Sequence, residues 1–62
     1  MLNKTIKYFR TSHKMTQETL ALKLGVTRQT VSKWEKGISV PDADTLNKIA
    51  DIFDVSVIDL LG

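Results

Sequence analysis

A short pattern typical of helix starts occurs three times in this chain. A hydrophobic residue precedes a threonine or serine, and a second hydrophobic residue follows that hydroxyl four positions later. The hydroxyl at such an N-cap accepts a hydrogen bond from a free backbone N–H of the first turn, and the two apolar side chains pack together. The pattern predicts helices that begin after Thr16, Thr27 and Ser56. Its three copies are Met15-Thr16-Leu20, Val26-Thr27-Val31 and Val55-Ser56-Leu60.

The spacing of the apolar residues predicts an all-α fold. Apolar side chains recur with the 3.6-residue period of a helix, whereas the alternation typical of strands is weak. Gly25 and Gly37 lie where helices would end in a left-handed residue, and Asp42, just after Pro41, is placed as a further N-cap. We therefore expect five helices, at about 2–11, 17–24, 28–36, 42–53 and 57–61.

Length and composition limit what the chain can bind. Its 62 residues make one domain with one small core, and it has no cysteine and a single histidine, His13. These counts exclude disulfides, and we expect no metal and no cofactor. The sequence has neither the ~18 apolar residues of a membrane span nor a secretory signal, so we expect no membrane contact and a cytoplasmic location. Residues 1–62 could be a whole protein or the N-terminal domain of a longer one.

Charge divides the chain into a basic and an acidic part. Residues 1–38 carry eight basic and two acidic side chains, a balance of +6, whereas residues 39–62 carry one basic and five acidic ones, a balance of −4. The basic part would attract a polyanion. Two ordinary solvated surfaces would show the same charges, so charge alone does not establish a nucleic-acid partner. The five aspartates fit helix starts and solvated faces better than a metal or acid–base cluster.

The predicted helices at 17–24 and 28–36 are joined by only three residues. So short a joint holds two helices at a steep angle, as in a helix-turn-helix unit. Ala21 is small enough to let the helices approach, Gly25 takes a positive φ without steric cost, and Val31 fills the space between them. A helical hairpin without any nucleic-acid role could use the same residues.

The outward face of the helix at 28–36 favours DNA readout. At about 100° per residue, a roughly 140° arc without any acid holds five polar or basic side chains, those of Arg28, Gln29, Ser32, Lys33 and Lys36. Arginine pairs with guanine O6 and N7, glutamine with adenine N6 and N7, and lysine reaches guanine or phosphate. Base contacts are predicted for Arg28, Gln29, Ser32 and Lys33.

Phosphate contacts are predicted at the starts of the same two helices. Thr16 and Gln17 stand at one helix N-terminus, where free N–H groups and the helix dipole favour an anion. Thr27 and Thr30 offer hydroxyls at the next, although helix capping alone would explain Thr27. Such contacts fix the register of a protein on DNA without reading the sequence.

The stretch MTQETLALKLGVTRQTVSKWEKGISVPD, followed by LNKIADIFDVSVIDLLG, resembles the lambda-repressor-like, Xre/Cro family of transcriptional regulators. The resemblance covers about Ile6 to Leu61. It implies a compact five-helix domain with its third helix in the major groove of double-stranded DNA. It also implies base contacts from Arg28, Gln29 and Lys33, and phosphate contacts from Gln17, Thr27 and Lys36.

Some residues fit the fold better than the DNA. The inward angle of Glu35, together with the resemblance, predicts a partly buried ion pair with Arg10. Trp34 is expected in the core or at its rim rather than stacked on DNA, and His13 is expected to be a solvated loop residue rather than a phosphate contact. Two positions depart from the family: Lys14 stands where many relatives have glycine, and Leu22 where they are usually polar.

We interpret the sequence as that of a sequence-specific DNA-binding transcriptional regulator, a repressor of the phage or bacterial type, that acts as a homodimer. The C-terminus has more apolar residues than its short last helix needs for its own packing, and part of this set would make the dimer contact: Val55, Val57, Ile58, Leu60 and Leu61. The alternative is a protein-interaction module such as an antitoxin with the same fold. An enzyme is not expected, because no nucleophile–base pair, metal set or phosphate loop is recognisable.

Overall fold

The computed structural model describes all 62 residues and consists of five α-helices joined by short loops. The predicted all-α fold is confirmed, and the helix bounds agree with the predicted ones to within one residue. The helices are α1 (Leu2–Ser12), α2 (Gln17–Leu24), α3 (Arg28–Glu35), α4 (Ala43–Phe53) and α5 (Val57–Leu61).

Hydroxyl side chains cap α2 and α3 as predicted. The Oγ1 of Thr16 accepts a hydrogen bond from the N–H of Thr19 at 3.0 Å, and the Oγ1 of Thr27 accepts one from the N–H of Thr30 at 3.2 Å. Each bond satisfies one of the N–H groups that a helix start leaves without an intrahelical partner. The sequence therefore sets where both helices begin.

The last two helices are capped in the same way. The Oδ1 of Asp42 accepts from the N–H of Thr45 at 2.8 Å, and this hydrogen bonding holds the pKa of Asp42 below its ordinary value. At α5, Ser56 and Asp59 bond reciprocally to each other's backbone N–H, which completes a capping box. A capping box matters for α5, which has only five residues.

One hydrophobic core joins the five helices. Its aromatic members are Trp34, placed in the core as predicted, and Phe53. Leu2 and Phe9 of α1 pack against this core while remaining partly exposed. The buried cluster consists of Ile6, Leu20, Ala21, Leu24, Val31, Trp34, Ile49, Ala50, Phe53 and Leu60.

The turn between α2 and α3 has the geometry that the sequence requires. Gly25 adopts φ +72°, and the N–H of Val26 donates to the carbonyl of Ala21 at 3.0 Å. Ala21 and Val31 are both buried, so the two helices pack directly on each other at the turn. This packing holds α3 with one face inward and the opposite face on the surface.

Two residues other than glycine have a left-handed backbone. Lys14 has φ +57°, the conformation that would favour the glycine found in many relatives. Asp54, which ends α4, has φ +56°, and no glycine marks that helix end in the sequence. Aspartate tolerates this region better than most residues do, which is why the helix can end there.

The C-terminal apolar residues divide between core and surface. Leu60 is fully buried, and Val55 and Val57 pack against the core. Ile58 and Leu61 remain 80% and 54% exposed. Ile58 and Leu61 are therefore the two members of this apolar set whose side chains are mostly exposed. None of the helices has the length and apolar character needed to cross a membrane.

Candidate nucleic-acid interface

The outward face of α3 forms the floor of an open concavity of about 320 Å³. The structure brings together on this surface all four residues predicted to contact bases, and Lys36 beside them. Four of these five side chains are exposed, and Ser32 is partly buried. The residues that line the concavity are Arg28, Gln29, Ser32, Lys33, Lys36 and Ile38.

The concavity is basic and contains no acid. Arg28, Lys33 and Lys36 supply three positive charges, and the only acid of α3, Glu35, is directed into the protein. No acidic side chain forms an ion pair with these three cations. Their positive potential is therefore available to an anionic partner.

Glu35 is held by a bidentate ion pair with Arg10 of α1. The Nε of Arg10 donates to Oε2 of Glu35 at 2.6 Å, and its Nη2 donates to Oε1 at 3.0 Å. The remaining Nη1 donates to the carbonyl of Met15 at 2.8 Å. The side chains of Arg10 and Glu35 are only 10% and 4% exposed, so the pair expected from the sequence is present and buried. It ties α1 to α3.

Burial and hydrogen bonding act in opposite directions on Glu35. Burial raises the pKa of this carboxyl, but the hydrogen bonds from Arg10 and Gln17 outweigh burial and hold the pKa below its ordinary value. The same hydrogen bond raises the pKa of Arg10. Both partners therefore stay charged at neutral pH, and the pair is intact there.

Gln17 is engaged inside the protein, which the sequence did not predict. Its Nε2 donates to Oε1 of Glu35 at 3.0 Å, so one carboxylate links α1, α2 and α3. An amide nitrogen carries two N–H groups. One is directed to Glu35, and the partly buried side chain keeps the second for another acceptor.

The threonine hydroxyls at the starts of α2 and α3 hydrogen-bond within the first turn of their own helix. The hydroxyl of Thr16 lies 3.0 Å from that of Thr19, and the hydroxyl of Thr27 lies 2.9 Å from that of Thr30. Thr16 and Thr27 are exposed, and Thr30 is partly buried. These positions surround the N-termini of α2 and α3, where backbone N–H groups favour an anion.

Two residues lie apart from this surface. His13 is exposed, but it is more than a solvated loop residue, because its Nδ1 is 2.8 Å from the carbonyl of Phe9 and its ring lies 5.0 Å from that of Phe53. Leu22 points outward from α2 and is largely exposed. No group of three or more His, Cys, Asp or Glu side chains is placed to hold a metal ion.

Ile38 is the member of the concavity that sequence reasoning missed. The signal that could have found it is Gly37, because a left-handed residue after a helix folds the next residue back over the last turn. Gly37 has φ +75°, and the N–H of Ile38 donates to the carbonyl of Lys33 at 2.9 Å. Ile38 therefore lines the concavity beside the outward face of α3.

Comparison with known proteins gives a consistent group of relatives. The family model described as helix-turn-helix matches residues 6–60. The chain is 48% identical over 60 residues to an uncharacterized HTH-type transcriptional regulator of Methanocaldococcus jannaschii, covering 97% of this chain and 89% of that protein. It is 34% identical over 62 residues to the antitoxin PezA of Streptococcus pneumoniae, covering 100% of this chain but only 39% of PezA.

A solved structure matches along its entire length. This structure is of SinR, described as the master regulator for biofilm formation, in complex with DNA. The TM-score is 0.90 at 32% sequence identity, with 100% of both chains covered. The five-helix arrangement is therefore shared over the whole chain, including the α2–α3 pair and the loop after it.

Proposed function

The chain belongs to the helix-turn-helix family of HTH-type transcriptional regulators, related to Xre, and we propose that it regulates transcription by binding a specific DNA sequence through α3. The observation that carries the proposal is the concavity on the outward face of α3, whose basic side chains form no ion pair with an acidic residue. Membership in the family supports it, as does the full-length match to a chain solved in complex with DNA.

The dimensions and chemistry of α3 suit the major groove. That groove is ~12 Å wide, and an α-helix with its side chains is ~10–12 Å across, so one helix fits into it. Arg28, Gln29, Ser32 and Lys33 would then face base edges. Arg28 matches guanine and Gln29 matches adenine, while Ser32 and Lys33 supply shorter and longer polar contacts.

Phosphates on either side of the groove would meet the helix starts and the end of α3. Thr16 and Gln17 lie at the N-terminus of α2, and Thr27 and Thr30 at that of α3, where the N–H groups of the first turn attract anions. Lys36 adds a cation at the other end of α3. These five residues would position the domain, and the four groove residues would read the sequence.

A homodimer is the form in which we propose that the protein acts. One recognition helix reads only a few base pairs, and related modules bind two half-sites about 34 Å apart. Ile58 and Leu61 are exposed apolar residues of α5, outside the basic concavity, and fit a contact between two copies. A bound dimer over a promoter would exclude polymerase, so repression in the cytoplasm is the expected outcome.

Selection of bound fragments from random DNA at two salt concentrations tests this proposal. A defined, symmetric motif is expected, together with an affinity that falls steeply with salt as phosphate contacts are screened. Recovery of unenriched sequences would contradict specific binding. An enriched motif without symmetry, bound by a monomer in sedimentation, would contradict the dimer alone.

A protein-interaction role is the second candidate, and the similarity to an antitoxin favours it. Its surface would be the exposed Leu22 on α2 or the C-terminal residues Ile58 and Leu61. Capture of one defined protein by the purified chain, unaffected by DNA and lost in Leu22→Ser, would support it. Loss of that capture in Arg28→Ala would instead place the contact on the DNA-binding surface.

A further inference from the structure

We propose that Ile38 is a specificity-determining residue that recognises the C5-methyl group of a thymine at the edge of the bound site. This inference rests on the proposed function, because it requires duplex DNA against α3. The evidence is the position of Ile38: it lines the same concavity as Arg28, Gln29 and Lys33 while belonging to the loop after the helix.

The backbone fixes Ile38 in this place. The N–H of Ile38 donates to the carbonyl of Lys33 at 2.9 Å, and the N–H of Gly37 donates to that of Trp34 at 3.1 Å. These two bonds form the Schellman motif that ends α3. In such a motif the residue at this position often packs its side chain on the helix, but Ile38 remains 68% exposed. Its side chain therefore lies beside the outward face of α3 and does not belong to the hydrophobic core.

The chemistry of the concavity decides what Ile38 can meet. It is the one hydrophobic side chain among the six lining residues. In the major groove the base edges present hydrogen-bond donors, acceptors and a single kind of apolar group, the thymine methyl. A polar edge pressed against Ile38 would lose water and gain no hydrogen bond, whereas a methyl group would gain apolar contact. The side chain therefore favours thymine and disfavours cytosine.

The shape of isoleucine suits this role. A branch at Cβ restricts χ1, so the side chain loses little freedom on contact. One methyl group removed from water is worth roughly a fourfold change in affinity. Ile38 would thus add preference at one base position of each half-site, while the polar residues of α3 supply most of the readout.

The test compares three proteins on one selected site. Val40 belongs to the same loop and is 73% exposed, but it does not line the concavity, so Val40→Ala is the matched control for Ile38→Ala. Because both side chains are exposed, both variants should keep the thermal stability of the wild type. The probe is the selected duplex with its thymines replaced one at a time by deoxyuracil, which lacks only the C5-methyl group. Dissociation constants are measured at one salt concentration.

At one thymine of each half-site, deoxyuracil should weaken wild-type binding by about fourfold. The same replacement should have no effect on Ile38→Ala and should retain its full effect on Val40→Ala. Random-DNA selection with Ile38→Ala should lose the preference for thymine at that position and keep the rest of the motif. Together these results would assign the methyl contact to Ile38.

Three results would overturn the inference. In the first, no thymine of the site is sensitive to loss of its methyl group. In the second, Ile38→Ala keeps the full sensitivity, which would assign the methyl contact to another residue. In the third, Ile38→Ala weakens binding to every sequence equally, as a contact with deoxyribose would. A wild-type protein without any sequence preference is a different failure, because it would remove the proposed function itself.

Discussion

The two faces of α3 use charge in opposite ways. On the outward face, Arg28, Lys33 and Lys36 stand around an open concavity with no acidic partner. On the inward face, Glu35 is 4% exposed and accepts hydrogen bonds from Arg10 and Gln17. A charge satisfied inside the protein serves the fold, whereas exposed charges of one sign on a concave surface are available to a partner. Changes on the two faces should therefore affect different measurements.

The largest effect should follow from breaking the inward pair. Arg10→Met leaves the carboxylate of Glu35 buried without its cation, which costs roughly 3–5 kcal/mol of unfolding free energy. Thermal or denaturant unfolding measures this loss. For a domain of this size, a loss of this magnitude can prevent folding altogether. Denaturant unfolding at low temperature should therefore accompany the thermal scan. Unchanged stability would show that the pair contributes nothing to the fold.

A smaller effect, confined to DNA binding, should follow from Arg28→Ala on the outward face. Loss of a bidentate base contact should cost about 1–3 kcal/mol of binding free energy on the cognate site and relax the preference at one base position. The melting temperature should not change, because the side chain is exposed. If affinity fell equally on every DNA sequence, Arg28 would be a phosphate contact instead.

Removal of Lys36 should have a weaker and less selective effect. Lys36→Ala should lower the affinity for all duplexes to a similar extent and reduce the slope of log affinity against log salt by about 0.9. Titrations at several salt concentrations measure that slope. A selective loss on the cognate sequence, with the slope unchanged, would move Lys36 from the phosphate contacts to the base contacts.

The smallest effect should be a pH dependence carried by the inward face. Because the pKa of Glu35 is lowered in the folded protein, its contribution is fully present above the ordinary glutamate value of about 4.3 and is lost as pH falls through the lower folded value. Melting temperatures recorded as the pH is lowered through this range should fall less steeply for Glu35→Gln than for the wild type. Lys33→Ala, on the outward face, should keep the wild-type slope. Parallel curves for all three proteins would contradict the assignment to Glu35.

Much of the proposed recognition surface could be predicted because its signals are local. The N-caps of α2 and α3 bond three residues ahead, and the side chains of the outward face lie within nine residues of one helix and its end. Periodicity therefore places Arg28, Gln29, Ser32 and Lys33 on one face before any packing is known. Ile38 could not be predicted in this way because the helical period ends at Gly37. Only the backbone turn at this glycine brings the next residue beside the outward face of α3.

Short-range patterns in the sequence determined the positions of the five helices, the residues at which they begin and the composition of the exposed face of α3. These features follow from hydrogen bonds and side-chain spacings within one or two helical turns. The tertiary structure decided which polar groups meet across the chain: Glu35 bonds to Arg10 and Gln17, which lie 25 and 18 residues away. The angle of Glu35 and the family resemblance suggested the first of these contacts, but nothing in the sequence indicated the second. Such contacts depend on how packed helices bring distant atoms together, and that is settled only when the core forms.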